Sequence, residues 1–325
     1  MNDGRDPAMT SARENSVRVL FLGGVGRSGT TLIERTLATD DRITGLGEVM
    51  HLWRRSLVLD ELCGCGQRFS RCPFWSEVGL RAFGGWDKIN PHRLAELKGC
   101  LDRVSRVPQL ALRAGRRRWR ADLAEYADYY ARLYTAAADV AGTDVVVDSS
   151  KQASLPFILS HDRRIDLRVL HCVRDSRAVA YSWTKTVLRP EAQALSAQTM
   201  QRYSPARMSV TWLLHNGALE LLPVMRVPAM RLRYEDWVKN PSRSVARILQ
   251  FCNLPGQSSV AVGQDFVKLG MSHTCSGNPL RFQEGHVNVR ADNHWRASFE
   301  GGARLLVTMA TSPLLAAYRY FWDTA

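Results

Sequence analysis

The chain has 325 residues, of which 45% are hydrophobic and 23% are charged. This composition is typical of a globular protein and excludes a disordered or fibrous chain. Lys and Arg outnumber Asp and Glu by 44 to 31, so the formal net charge is +13, and this excess predicts an anionic ligand or partner.

The N-terminal segment, residues 1–16, is polar and carries charges of both signs. Because no apolar stretch follows its basic residues, it is typical of a disordered tail and not of a signal peptide. No apolar run elsewhere approaches the ~18 residues of a membrane-spanning helix. We therefore expect a cytoplasmic protein whose seven cysteines are mostly reduced thiols.

Residues 17–325 are predicted to form one α/β domain, because short apolar, β-branched segments alternate with helical patterns. Strands are predicted at residues 17–22, 145–147, 167–173 and 230–233, and helices at 30–39, 120–141 and 242–251. This order predicts a parallel sheet flanked by helices, with ligands at the carboxyl ends of the strands. Two segments without a strand rhythm, roughly 52–120 and 185–215, are predicted to be helical or irregular caps.

The strongest motif follows the first strand. From Gly24 to Thr31 the chain fits the phosphate-loop spacing G-x-x-x-x-G-K-[ST], except that Thr30 stands where the lysine belongs. A glycine-rich turn at a helix N-terminus presents backbone N–H groups to an anion, and Arg27 adds a planar cation. The missing lysine is the one that reaches the β- and γ-phosphates of ATP. The loop is therefore predicted to bind a phosphate-like group but to suit a triphosphate poorly.

This loop resembles the 5′-phosphosulfate loop of the PAPS-dependent sulfotransferases, which have a P-loop-like α/β fold. PAPS is 3′-phosphoadenosine 5′-phosphosulfate. Arg174 at a strand end and Ser182 on the next helix are similar to the family's 3′-phosphate motif. The loop residues that carry the resemblance are Arg27, Ser28, Gly29, Thr30 and Thr31.

Two later segments extend the resemblance over most of the chain. Tyr234 follows the fourth strand and resembles the tyrosine near the adenine, while Arg281 lies in a segment that resembles the loop over the 3′-phosphate. The resemblance is to the bacterial or carbohydrate-type branch. It implies transfer of a sulfuryl group from PAPS to a small-molecule, carbohydrate or lipid-linked hydroxyl, with PAP as product and no metal.

On the acceptor side, the resemblance makes Glu48 the first candidate for the catalytic base. His51 is the rival, because an imidazole titrates near neutral pH. Lys151, at the end of a strand, is the candidate for the bridging oxygen or for substrate binding. Each also has an ordinary alternative: a solvated loop acid, a structural histidine or a surface lysine.

Two other functions stay open at the level of sequence. An ATP-dependent small-molecule kinase is compatible with the loop spacing and with Asp148, which ends an apolar strand as a Walker-B aspartate does. A non-catalytic polyanion binder would rest on the arginine cluster at 113–120, but no nucleic-acid-binding signature is present. That cluster also suits a solvated helix start, or contact with an acidic or membrane-bound acceptor.

Three cysteines, Cys63, Cys65 and Cys72, lie close together in the chain. A structural zinc site needs four ligands, and neither Cys100 nor His92 has a diagnostic spacing as the fourth. The sequence therefore favours a packing role or a redox-sensitive disulfide over a metal site. On the helix predicted after residue 205, Trp212 and Asn216 share a face. They are candidates for the pocket wall, although core packing is favoured for Trp212.

Overall fold

The computed structural model describes residues 16–186, 201–254, 256–260, 262–263 and 265–322. The predicted N-terminal tail, apart from Ser16, and residues 187–200 of the second predicted cap lie outside the described residues. Within the described residues, no helix is both long enough and apolar enough to cross a membrane.

The centre of the molecule is a five-stranded sheet in which every pair of neighbouring strands is parallel. Its order is β2-β3-β1-β4-β5, so the strand that precedes the phosphate loop lies in the middle. The strands are β1 (Val17–Gly24), β2 (Ile43–Gly45), β3 (Val145–Lys151), β4 (Ile165–Val173) and β5 (Ala229–Arg233). The α/β prediction is thus confirmed.

Helices cover both faces of the sheet, because alternate side chains of a strand point to opposite faces. Val19 and Phe21 of β1 belong to one apolar core, and Leu20 and Leu22 belong to the other. The helices up to β4 are α1 (Thr30–Leu37), α2 (Pro73–Phe83), α3 (Pro91–Leu101), α4 (Val107–Ala111), α5 (Arg117–Ala141) and α6 (Leu155–Leu159). Those after it are α7 (Ser176–Thr184), α8 (Pro205–Leu219), α9 (Tyr234–Lys239), α10 (Pro241–Phe251), α11 (His294–Ser298) and α12 (Gly301–Ala317).

The segment 52–120, predicted as a cap, is helical and contains α2, α3, α4 and the first turn of α5. It belongs to the core on one face of the sheet, to which Trp53, Trp75 and Leu94 contribute. A separate two-stranded antiparallel sheet, β6 (Phe266–Leu269) with β7 (Gly285–Asn288), flanks α1. Neither this second sheet nor β2 was predicted from the sequence.

Candidate functional site

The carboxyl ends of β1, β3, β4 and β5, with Glu48 shortly after β2, open on one cavity of about 840 Å³. A cavity of this size suits a ligand as large as a nucleotide. Most of the residues predicted from sequence line it. They are Arg27, Gly29, Thr30, Thr31, Glu48, His51, Lys151, Arg174, Ser182 and Tyr234.

The phosphate loop joins β1 to α1 in a conformation that depends on glycine. Gly29 precedes α1 with φ +79°, and a Cβ on it would lie 2.5 Å from a ring carbon of Tyr234. The side chain of Thr30 is buried at the start of α1, and its hydroxyl oxygen has no hydrogen-bond partner among the described residues. An unpaired buried hydroxyl beside the first N–H groups of a helix suits an anionic oxygen, so the loop fits a phosphate or sulfate group.

Arg174, which follows β4, lies against this loop from the neighbouring strand. Its guanidinium donates to the backbone oxygen of Arg27 at 2.9 Å and pairs with Asp292 at 3.2 Å. The same guanidinium stacks on the ring of Tyr234, 4.6 Å from its centroid. The structure therefore brings two arginines from separate strand ends to the wall of one cavity, on the same side of the sheet.

Trp183 is a cavity residue to which the sequence analysis gave no role. Its indole N–H donates to the backbone oxygen of Gly26 at 3.1 Å, and the Arg27 guanidinium lies 5.3 Å from its ring centroid. A Cβ on Gly26 would lie 2.7 Å from that ring. Trp183 thus supports the outer side of the loop. In the sequence, only its position directly after Ser182 could have indicated that it lies at the cavity.

Glu48 and Lys151 form a close ion pair, with Lys151 Nζ 2.5 Å from Glu48 Oε1. Burial alone would raise the pKa of Glu48, but the Lys151 cation, which also donates a hydrogen bond to this carboxylate, is the main cause that holds the pKa below its ordinary value. Glu48 is therefore ionised at neutral pH. Lys151 reaches this position from a backbone with φ +66° at the end of β3.

His51 lies beside the same carboxylate, with Nε2 3.5 Å from Glu48 Oε2. Burial lowers the pKa of His51 to about 3, although Glu48 acts in the opposite direction. The imidazole is therefore neutral and a weak base across the physiological range. Both candidate bases are therefore in their unprotonated forms at neutral pH, and Glu48 is the one that is paired directly with Lys151.

Glu34 lies beneath this pair on α1 and is fully buried. Its carboxylate accepts hydrogen bonds from the backbone N–H of Gly47 and the hydroxyl of Ser149, both at 2.6 Å. Burial raises the pKa of Glu34 to about 7, against the effect of these hydrogen bonds. Glu34 therefore ties together the two chain segments that carry Glu48 and Lys151. This role was not predicted from the sequence, because Glu34 stands beside the polar Arg35 and Thr36 in α1 like an ordinary surface acid.

Two predicted ligand residues do not line the cavity. The side chain of Ser28 is buried within the loop, and Arg281 is buried away from the cavity wall. The Arg281 guanidinium is 1% exposed and donates to the backbone oxygens of Leu62 and Thr274 at 2.8 and 3.1 Å. The segment that contains Arg281 does reach the cavity, through Gly277, Asn278 and Leu280.

Asp148, which kept the kinase alternative open, faces the protein interior. Its carboxylate accepts from the Tyr134 hydroxyl and from both the N–H and the hydroxyl of Ser150. Burial raises its pKa to about 6, partly offset by these hydrogen bonds. Asp148 does not line the cavity, so it is poorly placed to hold the magnesium of a nucleotide.

Helix α8 lines the cavity with a different face from the one predicted. Trp212 and Asn216 are buried, and the Trp212 indole donates to the backbone oxygen of Arg174 at 3.0 Å. Core packing of Trp212 is thus confirmed. The cavity instead receives the neighbouring face of the helix, which carries Arg207, Met208, Thr211 and His215.

Comparison with known protein families identifies the chain. Residues 18–269 match the family described as "Sulfotransferase domain", which covers most of the chain. The protein therefore belongs to the sulfotransferase domain family and is a transferase, and the kinase alternative is not favoured. A comparison with curated proteins gives no significant match.

Several solved structures are similar to this one. The sulfotransferase domain of the Synechococcus PCC 7002 olefin synthase shares 18% identity over 92% of this chain and 95% of its own, with a TM-score of 0.49. The sulfotransferase domain from the curacin biosynthetic pathway shares 15% identity over 91% and 98%, with a TM-score of 0.47. The sulfotransferase STF1 from Mycobacterium tuberculosis H37Rv shares 15% over 78% and 72%, with a TM-score of 0.41.

Proposed function

We propose that the protein transfers a sulfuryl group from PAPS to a hydroxyl group of a small-molecule, carbohydrate or lipid-linked acceptor. The observation that carries this proposal is the shared cavity of Arg27 and Arg174. A donor with a 3′-phosphate and a 5′-phosphosulfate needs two anion sites on one cleft. Arginine suits both, because its planar guanidinium binds such groups through paired hydrogen bonds.

The residues divide into a donor side and an acceptor side. On the donor side, the loop N–H groups, Arg27 and the Thr30 hydroxyl hold the 5′ group, while Arg174 and Ser182 hold the 3′-phosphate. Tyr234, stacked on Arg174, is placed to contact the adenosine. When bound, PAPS supplies the sulfuryl group, and PAP is what remains.

On the acceptor side, Glu48 accepts the proton of the attacking hydroxyl. Lys151 keeps Glu48 ionised and offers a cation to the charge that develops on the bridging oxygen. The acceptor is proposed to enter along the face of α8 that carries Arg207 and Thr211. This division uses the two ends of one cavity for two substrates.

A thermal-shift comparison tests the donor assignment. We expect PAP to raise the Tm of the protein more than ATP with Mg²⁺ at the same concentration, since a ligand that binds only the folded state stabilises it. An acceptor screen with labelled PAPS then tests the transfer itself. Stronger stabilisation by ATP with Mg²⁺, or by neither nucleotide, would contradict the proposal.

A further inference from the structure

The structure brings the three clustered cysteines together with a histidine from a distant part of the chain. Cys63, Cys65, Cys72 and His273 have their sulfur and ring-nitrogen atoms all within 4.8 Å of one another. His273 comes from the segment between β6 and β7, about two hundred residues after the cysteines in sequence. The spacing of residues in the sequence therefore could not identify His273 as the fourth residue of this cluster. The sequence candidates for it, Cys100 and His92, are exposed on α3 instead.

The separations between these atoms fit a tetrahedral metal site. With Zn–S bonds of about 2.3 Å, two thiolates on a tetrahedral zinc lie roughly 3.8 Å apart. The sulfurs of Cys65 and Cys72 are 3.8 Å apart, and His273 Nδ1 is 3.2 Å from Cys72 Sγ and 3.8 Å from Cys63 Sγ. A disulfide needs about 2.05 Å between sulfurs, and none of the seven cysteines forms one.

The side chain of His273 is fixed in the orientation that such a site requires. Its ring stacks on Phe74, with 5.0 Å between centroids and 14° between planes. Its backbone oxygen accepts from the Trp75 indole at 2.8 Å. Phe74 and Trp75 lie in the first turn of α2, which begins directly after Cys72, so the helix that follows one ligand orients another.

The first two cysteines lie on a tight turn that points both thiols inward. The N–H of Cys63 donates to the oxygen of Gln67 at 2.7 Å, and the N–H of Gly66 donates back to the oxygen of Cys63 at 2.9 Å. Gly66 adopts φ +82°, a conformation that favours glycine. The turn therefore gathers Cys63 and Cys65 on one side.

We propose that Cys63, Cys65, Cys72 and His273 bind a structural Zn²⁺ ion. Three thiolates and one imidazole are a set that zinc takes up in closed, four-coordinate sites. Soft sulfur ligands favour zinc over magnesium or calcium, which prefer oxygen. The thiols lose their protons on binding, and no change of redox state is required. The site is separate from the nucleotide cavity, because none of its four ligands lines that cavity.

The zinc would connect the cap to the segment that supports Glu48. Next to His273, Thr274 accepts from the N–H of Gly64 at 2.9 Å. One residue further, Cys275 accepts from the N–H of Glu48 at 2.9 Å. Metal binding would therefore hold the backbone of the catalytic segment against the cap. We expect loss of the ion to lower the Tm of the whole domain.

Metal analysis of the full chain tests the proposal without any activity assay. Protein expressed with zinc available and passed through gel filtration with a weak chelator is expected to retain about one zinc ion per chain. Growth in cobalt medium is expected to give the intense visible absorption of a tetrahedral cobalt–thiolate site. Zinc at or below ~0.1 per chain, or an intact mass lower by two hydrogens from a disulfide, would overturn it.

Two variants separate the ligands from other residues. His273→Ala is expected to lose the zinc or to change the cobalt spectrum, whereas Cys100→Ser, at an exposed cysteine, is expected to keep both. If His273→Ala expresses poorly, the wild-type stoichiometry and the cobalt spectrum still decide the proposal. Full zinc content and an unaltered spectrum in His273→Ala would exclude it as a ligand.

Discussion

In the proposed reaction, Glu48 is the residue that accepts the proton of the attacking hydroxyl. Replacing it by Gln keeps the shape of the side chain but removes the proton acceptor, so we expect Glu48→Gln to lower kcat by ~100-fold or more. PAP affinity should change little, because Glu48 is assigned to the acceptor side. Turnover with labelled PAPS and calorimetry with PAP measure the two effects. Activity close to wild type in this variant would transfer the role of base to His51.

The ion pair with Lys151 predicts a specific pH dependence. In the wild type, Lys151 and the other charges around Glu48 hold its pKa below the ordinary value, so we expect activity to be lost only as the pH falls through that low pKa. Burial raises the pKa of Glu48 and the charge of Lys151 lowers it. Without that charge, in Lys151→Met, the pKa of Glu48 should rise. We expect the acidic limb of the residual kcat/KM to move upward by about one pH unit or more.

Lys88→Met is the matched control for that experiment, since Lys88 is exposed and pairs only with the neighbouring Asp87 among the described residues. Its profile should match the wild type. An acidic limb that stays in place in Lys151→Met would show that Lys151 does not set the ionisation of Glu48.

Site residues that directly follow strands were predictable from the sequence, and residues brought in by long-range packing were not. Arg27, Lys151 and Arg174 stand where parallel strands end, and they line the cavity. Arg281 was assigned by resemblance alone, and its guanidinium is held inside by backbone oxygens. His273 joins its cluster only through the packing of a segment far along the chain.

The shape of the phosphate loop requires a glycine at position 29. Gly29→Ala would place a Cβ 2.5 Å from the Tyr234 ring in a left-handed conformation that costs an L-residue about 1–2 kcal/mol. We expect weaker PAP binding, by at least about tenfold, and a lower free energy of unfolding. Calorimetry and urea unfolding measure these quantities.

Gly217→Ala provides the control, because it lies inside α8 with nothing within 4 Å of the added Cβ. Alanine is a better helix former there, by up to ~1 kcal/mol, so stability should be equal or higher. If Gly29→Ala behaved like Gly217→Ala, the loop geometry would not be the determinant of nucleotide binding.

Because Glu34 on α1 is buried and has a raised pKa, the free energy of unfolding should depend on pH. The pKa of Glu34 in the folded state is about 7, above its ordinary value of 4.5, so the folded protein binds this proton more tightly than the unfolded chain. That stability is present at low pH and is lost as the pH rises toward 7. Glu34 contributes up to ~1.4 kcal/mol per pH unit to the fall of the unfolding free energy with pH.

Glu34→Gln should remove this contribution and flatten the fall in unfolding free energy between about pH 5 and 7. Asp148, with a pKa raised to about 6, leaves a smaller slope of the same sign. Glu96→Gln, on the exposed side of α3, should keep the wild-type slope. Urea unfolding across pH measures all three proteins, and an unchanged slope in Glu34→Gln would contradict the assignment.

Elements with a strong apolar pattern were predicted within a few residues of their observed bounds. The four predicted strands and α5 each combine buried apolar positions with a clear end, as at Gly142 after α5. β2 has only three residues and takes its strand conformation from pairing with β3, so its sequence carries little signal. The face of α8 that lines the cavity was not predicted, because polar and apolar residues are spread around this helix.

At the scale of the whole molecule, the fold brings distant segments to one edge of the sheet. The order β2-β3-β1-β4-β5 places the phosphate loop between the strand ends that carry Lys151 and Arg174. The arginine-rich start of α5, by contrast, lies away from the cavity, and none of its arginines lines it. The positive charge is therefore divided between arginines that line the cavity, such as Arg27 and Arg174, and a separate arginine cluster at the start of α5.

Two strand ends, at Arg27 and Arg174, are proposed to bind the two anionic ends of one nucleotide. Calorimetric titration of PAP into wild type, Arg174→Ala and Arg231→Ala tests this proposal most directly. Arg231 is a control arginine on the exposed edge strand, paired with Glu220. We predict that Arg174→Ala weakens PAP binding by ~10- to 100-fold, in line with the loss of charged hydrogen bonds, while Arg231→Ala binds as the wild type does. Equal affinity for PAP in all three proteins would contradict the account.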